Sequence, residues 1–144
     1  MNIKSYIKPL LIGLVLTSTA SGANEEIFKK LSTQCQVAIK HMERNEIAPV
    51  LAMYSKKAQV LMQTNQYAKE ILLKRYKKQI YRMQKHNGIK MIKLDTIHYF
   101  DPPENLGIEM KIKVEFNDGY KKRYRCEFDR LEGESEWSLD DSIG

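Results

Sequence analysis

The apolar positions of this chain follow a helical rhythm up to about residue 86 and a strand rhythm after it. From Asn24, the segment NEEIFKKLSTQCQVAIKHMERN puts Ile27, Phe28, Leu31, Cys35, Ala38, Ile39 and Met42 on one narrow arc, which predicts an amphipathic helix with Cys35 central on its buried stripe. Glu25 and Glu26 suit the positive end of that helix. Asn45 breaks it, and Pro49 fits the first turn of a short second helix through about Tyr54. After a polar stretch, Thr64 or Asn65 can cap a third, longer helix to about His86, with Asn87-Gly88 as a left-handed stop. Its inner arc is Ala68, Leu72, Leu73, Tyr76, Gln79, Ile80 and Met83.

Alternation then takes over. Ile92, Leu94, Thr96, His98 and Phe100 form the inward set of a first strand, ended by the turn DPPENLG at Asp101 to Gly107. In IEMKIKVEF, Ile108, Met110, Ile112, Val114 and Phe116 alternate without error with Glu109, Lys111, Lys113 and Glu115, so one face is buried and one solvated. Asn117-Asp118-Gly119 is a hairpin signal. The return strand sets Tyr120, Tyr124, Cys126 and Phe128 inward, with Lys122 as the one misfit, near enough to the turn to extend its amine to water. A turn at Glu132-Gly133-Glu134-Ser135 leads to a short strand with Trp137 and Leu139 on one face. Helices first and an antiparallel meander afterwards define an α+β fold: N-terminal helices, one of them long, packed on a curved antiparallel sheet of about four strands.

The first 23 residues break this pattern. Lys4 and Lys8 precede an apolar run from Leu10 to Leu16, and the small residues Ser21 and Ala23 stand before Asn24, the layout of a cleavable secretory signal; cleavage after Ala20 is the alternative. The run falls short of the roughly 20 residues that cross a bilayer, and no cysteine follows the cleavage site for lipid attachment, so no transmembrane anchor is expected. The expected organisation is a signal at 1–23 and one α+β domain at 24–144, exported to the periplasm or beyond. The 121 residues left hold 22 basic and 18 acidic side chains, a net charge of +4, and suffice for one core. Cys35 and Cys126 stay in that domain, where an oxidising compartment favours a disulfide; two small apolar core residues would satisfy the pattern equally.

The order of elements resembles the nuclear-transport-factor-two-like, or cystatin-like, α+β roll, particularly small exported bacterial domains of that superfamily. The segments that carry the resemblance are NEIAPVLAMYS, the long helix ending HNG, the hairpin VEFNDGYKKRYRCEF and the closing EGESEWSL. The resemblance implies a cone-shaped pocket between sheet and long helix, which enzymes of the superfamily furnish with an inward acid or base, commonly an Asp beside a Tyr or His.

Here the inward set has no carboxylate, because Asp95, Glu109, Glu115, Glu127 and Asp129 all have outward parity. His98 is the inward group that titrates near neutral pH, with Tyr76 and Tyr124 as candidate hydroxyl neighbours in the pocket. Set against a proton shuttle is an ordinary hydrogen-bonded histidine at a strand end. There is no G-x-S-x-G elbow, no G-x-G-x-x-G or G-x-x-x-x-G-K loop, and His41, His86 and His98 lie on separate elements without metal-ligand spacing, so neither metal nor cofactor is expected.

Charge is the most asymmetric feature. Positions 69 to 93 hold nine Lys/Arg and one acid, whereas positions 127 to 144 hold seven acids and one Arg. Lys74, Arg75, Lys77, Lys78, Arg82 and Lys85 form a basic face on the long helix, interleaved with Tyr67 and Tyr81. Export argues against nucleic acid, and a solvated face partly neutralised by the acidic C-terminal strand is the plainer reading. The sequence names no substrate or reaction. The function expected is an exported, non-catalytic binding domain that engages a protein partner or small apolar ligand through the sheet cavity or the basic face, an anionic membrane surface being a further candidate. The alternatives are a periplasmic inhibitor or immunity protein and a small enzyme using His98 with Tyr124 or Tyr76.

Overall fold

A computed structural model describes residues 12–100, 105–131 and 135–144. Lys4, Lys8 and Leu10 of the expected signal, Asp101 to Glu104 of the first turn and Glu132 to Glu134 of the last lie outside the described residues. The chain divides into two units between Lys30 and Leu31. Four helices, α1 (Ile12–Glu43), α2 (Ile47–Leu51), α3 (Lys56–Thr64) and α4 (Gln66–Met83), pack against an open antiparallel sheet of β1 (Ile89–Phe100), β2 (Asn105–Phe116), β3 (Lys121–Leu131) and β4 (Ser138–Leu139). The sheet order is β1-β2-β3-β4, so each strand lies beside its sequence neighbour. The expected α+β class and antiparallel meander are what the chain forms.

The core follows the two periodicities. From α1 it takes Leu31, Cys35, Ala38, Ile39 and Met42, and from β2 the five alternating residues Ile108 to Phe116, all 2% exposed or less. Full burial of one such aliphatic or aromatic side chain stabilises by about 1.5–3 kcal/mol, so the β2 stripe is a principal reason the sheet closes on its helices. The cysteines meet as a disulfide, Cys35–Cys126, with Cα atoms 6.1 Å apart, tying the C-terminal half of α1 to the middle of β3 across 91 positions of sequence. Closing so long a loop contributes about 4 kcal/mol in the chain-entropy account. Ser32 is the one buried polar residue among those described.

Four local expectations are corrected. First, α1 extends back to Ile12, with no proline between Ile12 and Asn24 to end it. Second, the stretch after Tyr54 is a helix, α3, capped by Ser55, whose Oγ accepts from Ala58 N at 3.1 Å. Third, β2 begins at Asn105, within what reads as a turn. Fourth, the parity of β1 reverses. Leu94 pairs with Ile112 but Thr96 with Lys111, which makes Asp95 an extra residue in a bulge, and an earlier shift between Ile89 and Met91 does the same at Lys90. Ile97, opposite buried Met110, takes the inward place, and His98 lies opposite Glu109 on the solvated face. The bulges also give the outer edge of β1 a twist and two charged interruptions, Lys90 and Asp95, which discourage edge-to-edge pairing.

The hairpin turn forms as read, with Gly119 at φ +86°, a conformation glycine adopts without cost. Tyr120, expected inward, precedes β3 and is 47% exposed, its ring stacked on His86 at 4.0 Å. His86 Nδ1 also bonds Asp118 Oδ2 at 2.7 Å, and Asn117 Nδ2 donates to Asn87 O at 2.7 Å. The turn is thereby latched to the residues that follow α4.

Candidate functional site

The histidine–tyrosine constellation does not assemble. His98 is exposed on the solvated face by the Asp95 bulge, whereas Tyr76 is fully buried. Tyr76 instead joins a hydroxyl chain that the sequence reading did not find. Its Oη lies 2.7 Å from Tyr54 Oη, Tyr54 donates to the Asp141 carbonyl at 3.1 Å, and Ile143 N–H donates to Tyr76 Oη at 3.4 Å. Since Tyr54 spends its proton on Asp141, Tyr76 donates to Tyr54, and each hydroxyl is satisfied. Burial raises both phenols above the usual tyrosine range, so the pair stays neutral. The only hint in the sequence was the position of Tyr54 at the end of the second apolar segment.

Four residues of the expected basic face lie on α4, and Lys85 follows its end at Met83. Lys74, Lys77, Lys78, Arg82 and Lys85 are all exposed, and Lys85 Nζ rests 4.4 Å from the Tyr81 ring centroid. Its inner margin does more than face solvent. Arg75, Lys78 and Arg82 from α4 meet Lys111 from β2 and Arg123 and Arg125 from β3 around a cleft of about 610 Å³, closed on one side by Asp141 to Gly144. Two rules build it. The helical period places residues 75, 78, 79 and 82 on one stripe, and strand alternation brings Lys111, Arg123 and Arg125 to the same solvated face of the sheet. Lys111 and Arg125 are directly opposite in the β2–β3 register. Strand cations at alternate positions were the available signal, but which helix they meet is a tertiary fact.

Some of these cations are neutralised locally. Arg75 Nη1 is 3.3 Å from Asp141 Oδ1, Arg123 Nε is 2.7 Å from Asp95 Oδ2, and Arg125 Nε is 3.2 Å from Glu127 Oε1. Lys111 reaches Glu109 at 3.6 Å. Lys78 and Arg82 make no ion pair among the described residues.

Behind the wall lies Lys122, the sequence misfit. Its Nζ donates to Gln79 Oε1 at 2.8 Å and sits 4.5 Å from the centroid of the Tyr124 ring, while its stem is half-buried. Burial, followed by the like charge of Arg82, pulls its amine below the ordinary lysine value. Tyr124, whose ring is buried beside it, is pushed up to about 12 by burial and stays protonated. The wall therefore offers donors of both kinds, charged and neutral, with Asp141 as the one carboxylate side chain lining the cleft among the described residues.

A second cleft, of about 430 Å³, opens beside α3, lined by Ala58, Val60, Leu61 and Leu139 with Asp129 and Asp140 at its margin. Val60 and Leu61 are 56% and 53% exposed, on a helix that buries none of its residues fully. Among the described residues no group of three or more His, Cys, Asp or Glu side chains could hold a metal ion, and no helix is long and apolar enough to cross a membrane. No family model, curated protein or solved structure matches the chain.

Proposed function

We propose that the protein is an exported, non-catalytic binding domain that receives an anionic partner in the cleft between α4 and the sheet. The supporting observation is the convergence of six cations from three elements on one concavity, with Lys78 and Arg82 left without carboxylate partners among the described residues. Convergent positive charge in a concave site focuses the field, attracts anions and raises their association rate. Export is supported by the disulfide and by the signal-like first 23 residues. An acidic surface on another protein of the same compartment suits such a cleft.

Retention on immobilised poly-glutamate tests the reading. The protein should be held at about 0.1 M salt, where exposed charges are screened beyond about 10 Å, and the double variant Lys78→Glu with Arg82→Glu should elute early. Lys56→Glu with Lys57→Glu on α3 makes the same change in net charge outside the cleft and should stay bound. Equal elution of the two double variants would show that retention reflects net charge alone and would defeat the proposal.

The apolar cleft beside α3 favours a second reading, a small apolar ligand seated against Val60, Leu61 and Leu139. Uptake of a fluorescent apolar probe that is abolished by Leu61→Lys would support it, and equal uptake by the variant would remove it.

A further inference from the structure

The wall formed by Lys78, Gln79, Arg82 and Tyr124 has a composition that narrows the kind of anion it fits. Lys78 and Arg82 bring positive charge that no carboxylate among the described residues pairs. Gln79, having accepted from Lys122 with Oε1, keeps its Nε2 protons for another acceptor. Tyr124, whose ring is buried, makes no hydrogen bond through its hydroxyl among the described residues. Lys122 stands behind, its charge already opposed by burial and by Arg82.

This is a donor-rich patch under like-charge repulsion. A single carboxylate would bring one negative charge and two oxygens to a wall with two free cations, a third behind them and two neutral donors. A tetrahedral dianion brings more charge and three or four acceptor oxygens, and the planar fork of Arg82 suits two of them.

We propose that this wall is a subsite for a multivalent oxyanion of the phosphate type, with Arg82 and Lys78 carrying the charge recognition and Gln79 and Tyr124 donating to the remaining oxygens. The inference rests on the reading of the cleft as an anion site and specifies its occupant. Asp141, the carboxylate side chain that lines the cleft, is already held between Arg75 at 3.3 Å and Arg125 at 3.9 Å. Since neither Lys78 nor Arg82 takes part in those pairs, a phosphoryl group can meet both without displacing an internal ion pair among the described residues.

The probe is inorganic pyrophosphate, titrated into the ¹⁵N-labelled protein, with citrate as a polycarboxylate of comparable charge. Pyrophosphate should shift resonances of residues 78–82 and 122–125 along saturable curves, with a Kd of about 1 mM or tighter at low salt. Arg82→Gln should weaken it by about tenfold, as loss of a charge-assisted pair does, and Lys56→Gln on α3 should leave it unchanged. Vesicles distinguish the source of the phosphate. Flotation with phosphatidylglycerol vesicles but not phosphatidylcholine, reversed by pyrophosphate, assigns a lipid headgroup; pyrophosphate binding without flotation assigns a soluble phosphate ester. Shifts that fail to saturate, that are unaltered in Arg82→Gln, or that citrate reproduces at equal affinity would overturn the inference. Should poly-glutamate retention persist while pyrophosphate fails to bind, the subsite falls and the wider anion reading stands; loss of both removes both.

Discussion

The hydroxyls of Tyr54 and Tyr76 lie 2.7 Å apart in the interior, and through them α4 is joined to the loop after α2 and to the closing segment at Asp141 and Ile143. A chain of three hydrogen bonds buried in this way is worth little while complete and is costly when one member is removed, because its neighbours lose partners that water cannot replace.

Tyr54→Phe should therefore destabilise more than the loss of one average hydrogen bond, by about 1–3 kcal/mol, since it strands the Tyr76 proton and the Asp141 carbonyl together. Tyr76→Phe should cost a similar amount. Denaturant unfolding monitored by circular dichroism measures both, and a change below about 0.5 kcal/mol, the range of neutral surface substitutions, would show that water enters the site freely.

The same burial fixes a response to alkali. Tyr76 is raised above the usual range and Tyr124 to about 12, so the folded state holds these protons more tightly than the unfolded chain. Their contribution is fully present below the unfolded tyrosine value near 10 and is lost as pH rises from there through the folded values. The melting temperature should fall steadily above about pH 10, and less steeply in Tyr124→Phe.

On the acid side, Asp118 acts in the opposite sense. The His86 hydrogen bond, then that from Tyr120 N, holds the Asp118 carboxyl below its ordinary value of 3.8. A carboxylate depressed in the folded state adds stability above its unfolded value and loses it as pH falls through the folded one. Asp118→Asn should flatten the fall in melting temperature below about pH 4. An unchanged acid limb would show that the latch between the hairpin turn and the end of α4 contributes nothing.

Replacement of both cysteines, Cys35→Ala with Cys126→Ala, should cost about 4 kcal/mol on the chain-entropy account, with some further loss from the smaller side chains in a packed interior. Guanidinium midpoints of the variant and of the reduced protein should move together. Two alkylatable thiols in non-reduced protein purified from the periplasm would contradict the bridge.

His98→Ala tests the bulge. On the solvated face the substitution should change stability by less than about 0.5 kcal/mol, whereas Met110→Ala on the buried stripe should cost about 2–5 kcal/mol. A large effect at His98 would restore the unbroken alternation of β1.

Much of this architecture was legible along the chain. The five alternating residues of β2, the arc around Cys35 and the capped start of α4 at Asn65 follow from periods of 2.0 and 3.6, which are local properties of the backbone and leave their imprint in any sequence that buries one face. Charge was legible as well, since no tertiary arrangement changes the nine Lys/Arg between positions 69 and 93. The bulge at Asp95 was not, because an extra residue is defined only against a partner strand: Thr96 and His98 alternate with Leu94 on paper, and the pairing with Lys111 and Glu109 turns them over. The helix at Lys56–Thr64 escaped notice because its apolar residues bury against nothing fully, which erases the stripe that marks a helix. The cleft itself belongs wholly to three dimensions. Lys78 and Arg82 come near Arg123, Tyr124 and Lys122 only once β3 has paired with β2 and packed beside α4, and that encounter depends on contacts between residues more than 40 positions apart, which no local period records.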